Sequence, residues 1–171
     1  RERGLEDTFR AAGIETSTHQ GNIGIPEDCR RTVKEVLDRH GRLDILVNNA
    51  GVYLGGELDT FSLADFDRTV DVNVRAVFVA AQAAARHMGD GGRIVNIGSI
   101  NAERVPAAGA SVYAMSKAAI VGLTRGLARD LGARGIAGRC VAGVLARRVD
   151  PAVETERAIG VPRVDPAELG E

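Results

Sequence analysis

Apolar residues recur along this chain with different spacings, and each spacing predicts a kind of element. A spacing of three or four, which is typical of helices, extends over residues 26–40, 63–87 and 112–133. Residues 43–47 form a nearly continuous apolar run, which is typical of a strand buried on both faces. A glycine-rich turn leads into a second strand at residues 93–97. The pattern predicts an α/β protein in which helices and strands alternate.

Weaker patterns near the two ends of the chain add further elements. A helix over residues 3–12 is expected to stop at Gly13, because glycine is common at helix C-termini. Residues 14–20 alternate in polarity and predict a strand, and residues 138–142 predict a short, weak one. Residues 144–171 hold three of the five prolines and show no period, so they are predicted to form an irregular tail on a single domain.

The order of the elements predicts how they are arranged in space. Strands that alternate with helices imply parallel βαβ units, with helices on both faces of a doubly wound sheet. In such folds ligands bind beyond the carboxyl ends of the strands. Three polar segments each follow a predicted strand: Asn22, the turn Asn48–Asn49–Ala50–Gly51, and Ser99. We expect these three polar clusters to meet at one edge of the sheet.

Tyr113 and Lys117 lie in the last long predicted helix, at a spacing that places them on the same face. A positive charge beside a phenol makes its proton easier to remove, because it favours the phenolate. If the Ser99 hydroxyl reaches the same place, the three groups can move a proton to or from a carbonyl or alcohol oxygen. Tyr-x-x-x-Lys alone also occurs by chance, and then it marks only a solvated helix face.

Composition narrows the possible classes of function. The 171 residues are 44% hydrophobic and 26% charged, with a net charge of −1, so no basic surface for nucleic acid is predicted. Cys29 and Cys140 and the three histidines show no metal-ligand spacing, so the cysteines are expected to be buried or half-buried thiols in a reducing compartment. No apolar run is long enough to predict a membrane span. The opening RERGLEDTF is neither a signal peptide nor a start at methionine, which is consistent with a cytoplasmic chain that begins inside a larger protein.

Four motifs together give the chain a family resemblance. They are LDILVNNAG ending at Gly51, VNVRAVF containing Asn73, IVNIGS ending at Ser99, and Tyr113-x-x-x-Lys117. In this order and spacing the chain resembles the short-chain dehydrogenase/reductase family from about residue 13 to residue 136. The text around the last two motifs is similar to members described as 3-oxoacyl-thioester reductases. The resemblance implies a Rossmann-like fold that is truncated at both ends.

The resemblance also implies catalytic roles. Tyr113 would be the acid/base that exchanges a proton with the substrate oxygen, and Ser99 would hydrogen-bond the same oxygen. Lys117 would hold the nicotinamide ribose and make the Tyr113 proton easier to remove. Asn73 would fix a water that connects Lys117 to solvent. Considered without the family, Asn73 is a solvent-facing or kink-associated residue of its helix.

The implied cofactor is NAD or NADP. The resemblance places Tyr113 and Lys117 against it and assigns it two further groups of contacts. Asn48, Asn49, Ala50 and Gly51 would line the cofactor, with glycine permitting a close backbone approach. Asn22 and Ile23 would lie beside the adenine, where relatives usually carry an acid and a small apolar residue. The competing interpretations are a simple turn that ends a strand, for Gly51, and an ordinary loop, for Asn22.

The chain departs from the family at three places. The glycine-rich phosphate turn G-x-G-x-x-G does not occur, and with it the residue that distinguishes NAD from NADP is absent. After Ile136 the family's Pro-Gly pair and cofactor-binding threonine are replaced, with Arg147 where threonine is common. The family's last strand is also absent. We therefore expect the 43–47 strand to present an open apolar edge.

Three functions are compatible with these observations. The first is a nicotinamide-dependent oxidoreductase that interconverts a small carbonyl compound and a secondary alcohol. The second is a non-catalytic remnant or interaction module of the same fold, and the third is a sugar-nucleotide epimerase or dehydratase. The Asn-Asn-Ala-Gly turn and the short tail argue against the third.

The resemblance implies a homo-oligomer, a tetramer or dimer, in which the small residues of the 112–133 helix permit close packing. Those residues could equally face the chain's own sheet. Substrate choice is assigned to residues 52–60 and 144–162.

Overall fold

The computed structural model describes residues 2–141, with side chains from residue 6 onward. Five α-helices, a π-helical turn, a 3₁₀ turn and three strands follow one another along this part of the chain. They are α1 (Glu2–Ala11), α2 (Pro26–His40), β1 (Ile45–Asn48), α3 (Leu63–Val70), the π turn (Asp71–Arg75), α4 (Ala76–Ala85), β2 (Arg93–Ile97), the 3₁₀ turn (Ile100–Ala102), α5 (Ser111–Gly132) and β3 (Ala137–Val141). The predicted tail lies outside the described residues.

The three strands form one parallel sheet in the order β1-β2-β3. Val47 pairs with Val95, which in turn pairs with Arg139, so the strands run in register and end at the same edge. This arrangement confirms the predicted parallel, Rossmann-like sheet. The weak strand predicted at residues 138–142 is present one residue earlier, at Ala137–Val141.

Helices α4 and α5 cover one face of this sheet. The core between them combines alanines of α4, the methionine that follows α4, and apolar residues of β2 and of the segment before β3: Ala81, Ala84, Met88, Ile94 and Ile136. Leu46 of β1 and Leu127 and Leu131 of α5 pack against this cluster. Because successive side chains of a strand point to opposite faces, the residues that alternate with these lie on the other face of the sheet. On that face Ile45, Val47 and Val141 are exposed.

The prediction that the 43–47 run is buried on both faces is therefore wrong for this chain. Ile45 is 59% exposed and Val47 is 54% exposed, because the helices within residues 2–141 that pack on the strands lie on the opposite face. Apolar composition indicates that a strand is suited to burial on both faces, but it does not determine whether both covering layers are present.

The same kind of substitution is expected to change the free energy of unfolding much less on the open face of the sheet than on the covered face. Val47→Thr places a hydroxyl on the open face and is expected to change the free energy of unfolding by less than about 0.5 kcal/mol. Ile94→Thr places a hydroxyl in the core at a residue that is 0% exposed, and is expected to cost about 2–3 kcal/mol. Urea denaturation followed by circular dichroism measures both values, and equal losses would contradict the one-sided burial.

The long helix predicted over residues 63–87 begins as expected but is interrupted. Ser62 caps it, because its hydroxyl oxygen accepts a hydrogen bond from the Asp65 backbone N–H at 3.0 Å. At Asp71–Arg75 the backbone widens into a π-helical turn before α4 continues. The turn holds Asn73 at its centre, and Asn73 is buried. The solvent-facing interpretation of that residue is therefore wrong, whereas the irregular turn fits the kink-associated one.

The strand predicted at residues 14–20 is not formed. A strand needs a neighbour to supply its backbone hydrogen bonds, and no other strand lies beside this segment within residues 2–141. Side chains hold the segment instead. Ser17 and His19 bond to residues of α2, the Thr18 hydroxyl donates to Glu6 at 2.6 Å, and Arg31 donates to the Gln20 carbonyl at 3.0 Å.

Two further features of the described residues bear on the predicted class of protein. Cys29 is buried and Cys140 is half-buried, and both are free thiols, as predicted. Among the helices of this part of the chain, none combines the length and the apolar character that crossing a membrane requires.

Candidate active site

Helix α5 presents Tyr113 and Lys117 together on its first two turns. The Lys117 Nζ lies 5.7 Å from the centre of the Tyr113 ring, so the spacing of four residues does place both groups on one face. Lys117 is buried, and its Nζ donates a hydrogen bond to the Ile97 carbonyl at 3.0 Å. Since Ile97 is the last residue of β2, this bond fixes the start of α5 against the carboxyl end of the sheet.

Burial lowers the pKa of Lys117, because the charged ammonium loses water as a solvent. The folded chain consequently binds fewer protons than the unfolded chain between the lowered pKa and the ordinary one. Over that interval the stability contributed by this group rises with pH. Because its pKa is lowered, Lys117 gives up its proton more readily than a surface lysine does.

Tyr53 packs against Tyr113, a contact that the sequence did not predict. The two ring centres are 4.9 Å apart and the rings meet edge to face at 68°. Tyr53 belongs to the 52–60 loop that the sequence assigned to substrate choice. The only signal for it in the sequence is an aromatic residue two positions after Gly51.

Ser99 lies between β2 and α5 and caps the 3₁₀ turn. Its hydroxyl oxygen accepts a hydrogen bond from the Asn101 backbone N–H at 3.2 Å. That bond uses an acceptor position of the hydroxyl and leaves its hydrogen available to another oxygen. The 3₁₀ turn packs on α5, so Ser99 is held on the side of the sheet edge where α5 begins.

Asn73 is 2% exposed and joins three parts of the site. Its side-chain oxygen accepts from the Val52 N–H at 2.8 Å, and its amide nitrogen donates to the Val52 carbonyl at 2.9 Å. The same nitrogen donates to the Ser116 hydroxyl at 3.0 Å. Both amide hydrogens are therefore used within the protein, and the side chain connects the loop after β1 to α5.

Ser116 is a second residue of the site that the sequence did not single out. It precedes Lys117 in α5 and is fully buried. Its hydroxyl donates to the Tyr113 carbonyl at 2.7 Å and accepts from Asn73. It transmits the position of the π turn to the backbone that carries Tyr113. In the sequence it is an ordinary helical serine, and no pattern marks it as buried.

Asn48 bonds within the sheet. Its amide nitrogen donates to Asn96 at 2.8 Å, and Asn96, which is fully buried, donates to the Thr124 hydroxyl of α5 at 2.9 Å. This chain of polar groups ties β1 to β2 and β2 to α5. Asn49 and Ala50, which follow, are exposed at the sheet edge.

Gly51 brings the end of β1 into contact with Asn73 and Lys117. A side-chain carbon at this position would lie 3.2 Å from the Asn73 oxygen and 3.7 Å from the Lys117 Nζ. The glycine therefore does more than end a strand. Its missing side chain allows the backbone after β1 to pass directly over Asn73 and Lys117.

Enlarging Gly51 is expected to disturb this packing in proportion to the size of the side chain. Gly51→Ala forces the Asn73 oxygen to yield by a few tenths of an ångström, which we expect to cost about 1 kcal/mol of unfolding free energy, and Gly51→Val about 2–3 kcal/mol. Gly89→Ala is the matched control, because that position also lies outside the helices and has open space around it. Equal destabilisation by Gly51→Ala and Gly89→Ala in urea denaturation would contradict the close approach.

A cavity of about 690 Å³ opens beside Gly51. Asn22, Ile23, Ala50 and Val72 line it together with Gly51, so the structure brings two of the predicted polar clusters together. Asn22 reaches this place although no strand precedes it. Its backbone N–H donates to Asp28 at 2.7 Å, and its side-chain oxygen accepts from the Gly24 N–H at 3.0 Å. The bond from the Asn22 N–H, assisted by Arg31, holds the pKa of Asp28 below its usual value.

The sequence matches known proteins over most of its length. A profile of the family described as short chain dehydrogenase matches residues 2–153. The chain is 49% identical over 107 residues to the cyclic-di-GMP-binding biofilm dispersal mediator protein of Escherichia coli, covering 63% of this chain and 45% of that protein. It is 42% identical over 142 residues to a (2S)-[(R)-hydroxy(phenyl)methyl]succinyl-CoA dehydrogenase subunit of Thauera aromatica, covering 82% and 56% respectively.

Solved structures of short-chain dehydrogenases are also similar to this chain. A short chain dehydrogenase from Burkholderia cenocepacia in complex with NADP superposes with a TM-score of 0.80 at 51% identity, over 82% of this chain and 57% of that one. A short-chain dehydrogenase/reductase from Serratia marcescens superposes with a TM-score of 0.81 at 49% identity, over 82% and 58%. The chain spans about half the length of the curated relatives that it matches. The chain belongs to the short-chain dehydrogenase family.

Proposed function

We propose that this chain carries the acid–base half of an oxidoreductase that interconverts a carbonyl and a secondary alcohol with NAD or NADP. The observation that carries the proposal is the cluster of Tyr113, Lys117, Asn73 and Gly51 at the carboxyl edge of the sheet, next to the 690 Å³ cavity. Membership of the family supports the reaction class, and the NADP in the Burkholderia structure supports the cofactor.

The residues present fit the nucleoside end of such a cofactor. The cavity offers apolar surface from Ile23 and Val72 and a polar side chain from Asn22, and the Gly51 backbone leaves space that a side chain would fill. The pattern G-x-G-x-x-G occurs nowhere in the 171 residues, so no group of the chain is assigned to the phosphates. A bound nicotinamide supplies or accepts the hydride.

Tyr113 and Ser99 are proposed to handle the substrate oxygen. In reduction, the Tyr113 hydroxyl gives its proton to this oxygen while the Ser99 hydroxyl donates a hydrogen bond to it. The buried Lys117 ammonium, 5.7 Å from the centre of the ring, stabilises the phenolate that remains. Oxidation of the alcohol reverses these steps, with the phenolate taking the proton.

Asn73 is proposed to supply a water for the return of this proton, and its contacts indicate which atom would hold that water. Both amide hydrogens already bond to Val52 and Ser116. The π-helical turn interrupts the regular hydrogen bonding of the helix at this residue, so a backbone carbonyl of the turn is proposed as the acceptor for the water. The backbone rather than the side chain is therefore assigned to the water.

A homo-oligomer, a dimer or a tetramer, is proposed through α5. Ala118, Ala119, Gly122 and Gly126 are all exposed, so the interpretation in which they face the chain's own sheet is wrong. Small residues on an exposed helix face permit a second helix to approach closely. The proposed substrate is a small molecule, and the contact of the exposed Tyr53 with Tyr113 supports a role for the 52–60 loop in substrate choice.

Titration with NADH and NADPH, followed by nicotinamide fluorescence, tests the proposal. Saturable binding is expected, with Ile23→Asp weakening it at least fivefold because a carboxylate would enter the apolar wall of the cavity. Absence of binding to either nucleotide by a folded chain would leave the non-catalytic module as the function of this chain.

A further inference from the structure

A second group of reactive side chains lies outside the cavity and α5, where residues 14–20 pass over α2. The Ser17 hydroxyl oxygen is 2.8 Å from the His19 Nε2, and the His19 Nδ1 is 3.0 Å from the Glu35 Oε2. A hydroxyl, an imidazole and a carboxylate are thus joined in series. None of the three belongs to the residues that line the described cavity.

A second imidazole contacts the same hydroxyl, since the His40 Nε2 lies 2.9 Å from the Ser17 oxygen. A hydroxyl has one hydrogen, so Ser17 donates to one imidazole and accepts from the other. The His19 Nδ1 faces a carboxylate and therefore carries the proton, which leaves its Nε2 as the acceptor. The His40 Nδ1 lies 3.9 Å from the nearest carboxylate oxygen, that of Glu15, which is beyond hydrogen-bond distance, so the His40 proton is assigned to Nε2. With this assignment Ser17 donates to His19 and accepts from the His40 N–H.

Glu35 is held in its charged form. Its second oxygen accepts a hydrogen bond from Arg31 at 2.9 Å, and this bond, followed by the one to His19, lowers the pKa of the carboxyl. The carboxylate fixes the orientation of His19 and stabilises the imidazolium that forms when Nε2 accepts a proton. The side chains of His19 and His40 are 18% and 26% exposed and Ser17 is half-buried, so a small reagent can reach the hydroxyl.

From this geometry we propose that Ser17 is a nucleophile that accepts acyl groups from small activated esters. The Ser17 oxygen bonds to the acyl carbon while His19 Nε2 takes the hydroxyl proton, and the His40 N–H donates to the carbonyl oxygen as it becomes negative. The C–O bond to the leaving alcohol then breaks, and the alcohol receives the proton from His19. Water then attacks the acyl carbon while His19 Nε2 takes its proton. The bond from the acyl carbon to the Ser17 oxygen breaks, a carboxylic acid leaves, and the Ser17 oxygen receives the proton from His19.

A purely structural role for the same contacts predicts a different result. The bonds from Ser17 to His40 and from His19 to Glu35 also fasten residues 14–20 to α2, and fastening requires no reaction at the hydroxyl. Covalent reactivity at Ser17 therefore distinguishes the two roles. The proposal is independent of nucleotide binding, because Ser17→Ala is expected to leave the NADPH titration unchanged.

Labelling of the full chain with a fluorophosphonate tests the proposal, because the probe bonds to an activated serine and releases fluoride. One adduct per chain is expected, on the peptide of residues 11–30, which contains Ser17 as its one serine. Ser17→Ala is expected to abolish this adduct, and His19→Gln and Glu35→Gln to slow labelling at least tenfold. The matched control is Thr18→Val, next in the chain and bonded to Glu6 instead, which is expected to label within twofold of the parent.

Three results would overturn the proposal. They are no adduct on a chain whose circular dichroism shows it folded, an adduct on residues 11–30 that persists after Ser17→Ala, and labelling that is equally fast in 6 M urea. The first result needs no variant, so a failure of Ser17→Ala or His19→Gln to fold leaves the test intact. A release of p-nitrophenol from p-nitrophenyl acetate in an initial burst, lost in Ser17→Ala, is the expected result for acyl transfer.

Discussion

Tyr113→Phe is expected to lower the rate of carbonyl reduction by about 10³-fold, within the range that a positioned acid contributes. The substitution removes the hydroxyl that gives its proton to the substrate oxygen and keeps the ring that packs on Tyr53. The affinity for NADPH is expected to change by less than about twofold, because the loss falls on the chemical step rather than on uniform binding. Steady-state rates and the fluorescence titration together measure both quantities in any form of the protein that shows reductase activity.

The matched control for this loss is Tyr53→Phe. It removes a phenolic hydroxyl from the partner ring of the same pair and leaves the edge-to-face contact unchanged. We expect it to retain the reductase rate within about threefold. A similar loss in both variants would show that the effect is not specific to the Tyr113 hydroxyl, and a fully active Tyr113→Phe would remove Tyr113 from the mechanism.

The sequence predicted those parts of the fold in which local pattern and final packing agree. Helix α2 has the predicted bounds because Pro26 opens it and Gly41 ends it with a left-handed backbone, φ 73°. Strand β2 has its predicted bounds, and α5 differs from its prediction by one residue at each end. The Tyr113–Lys117 pairing follows from helix geometry alone.

The predictions that failed depended on neighbours that a local pattern does not contain. Residues 14–20 have the alternation of a strand, but a strand also needs a partner for its backbone. The apolar character of β1 suits burial on both faces, whereas Ile45 and Val47 are exposed here. In both cases the pattern reports what the segment is suited to, and the surrounding chain determines what it does.

Ser116 and the Asn48–Asn96–Thr124 chain escaped prediction for a related reason. Each of these side chains is polar, and polar residues are ordinarily exposed. Ser116, Asn96 and Thr124 are buried and Asn48 is half-buried, which is acceptable only because partners from other elements satisfy them at 2.8–3.0 Å. Such networks are defined by contacts between residues far apart in the sequence, so no spacing within one element reveals them.

Asn73→Leu is expected to cost about 3 kcal/mol of unfolding free energy, because it leaves buried partners without hydrogen bonds. The substitution keeps a similar volume but removes both bonds to the Val52 backbone and the bond to the Ser116 hydroxyl. The same change at Asn49, which is exposed, is expected to alter stability by less than about 0.5 kcal/mol. Urea denaturation of both variants measures the difference.

A loss at Asn73 no larger than that at Asn49 would show that these three bonds contribute little to stability. The larger loss would instead identify Asn73 as the connection that holds three separate segments in one site. Through Val52 it fixes the chain that leaves Gly51, and through Ser116 it fixes the backbone that carries Tyr113. In that case the stability of the fold and the position of the proposed acid depend on the same amide, and substitutions of Asn73 would lower activity even where its backbone carbonyl remains available to water.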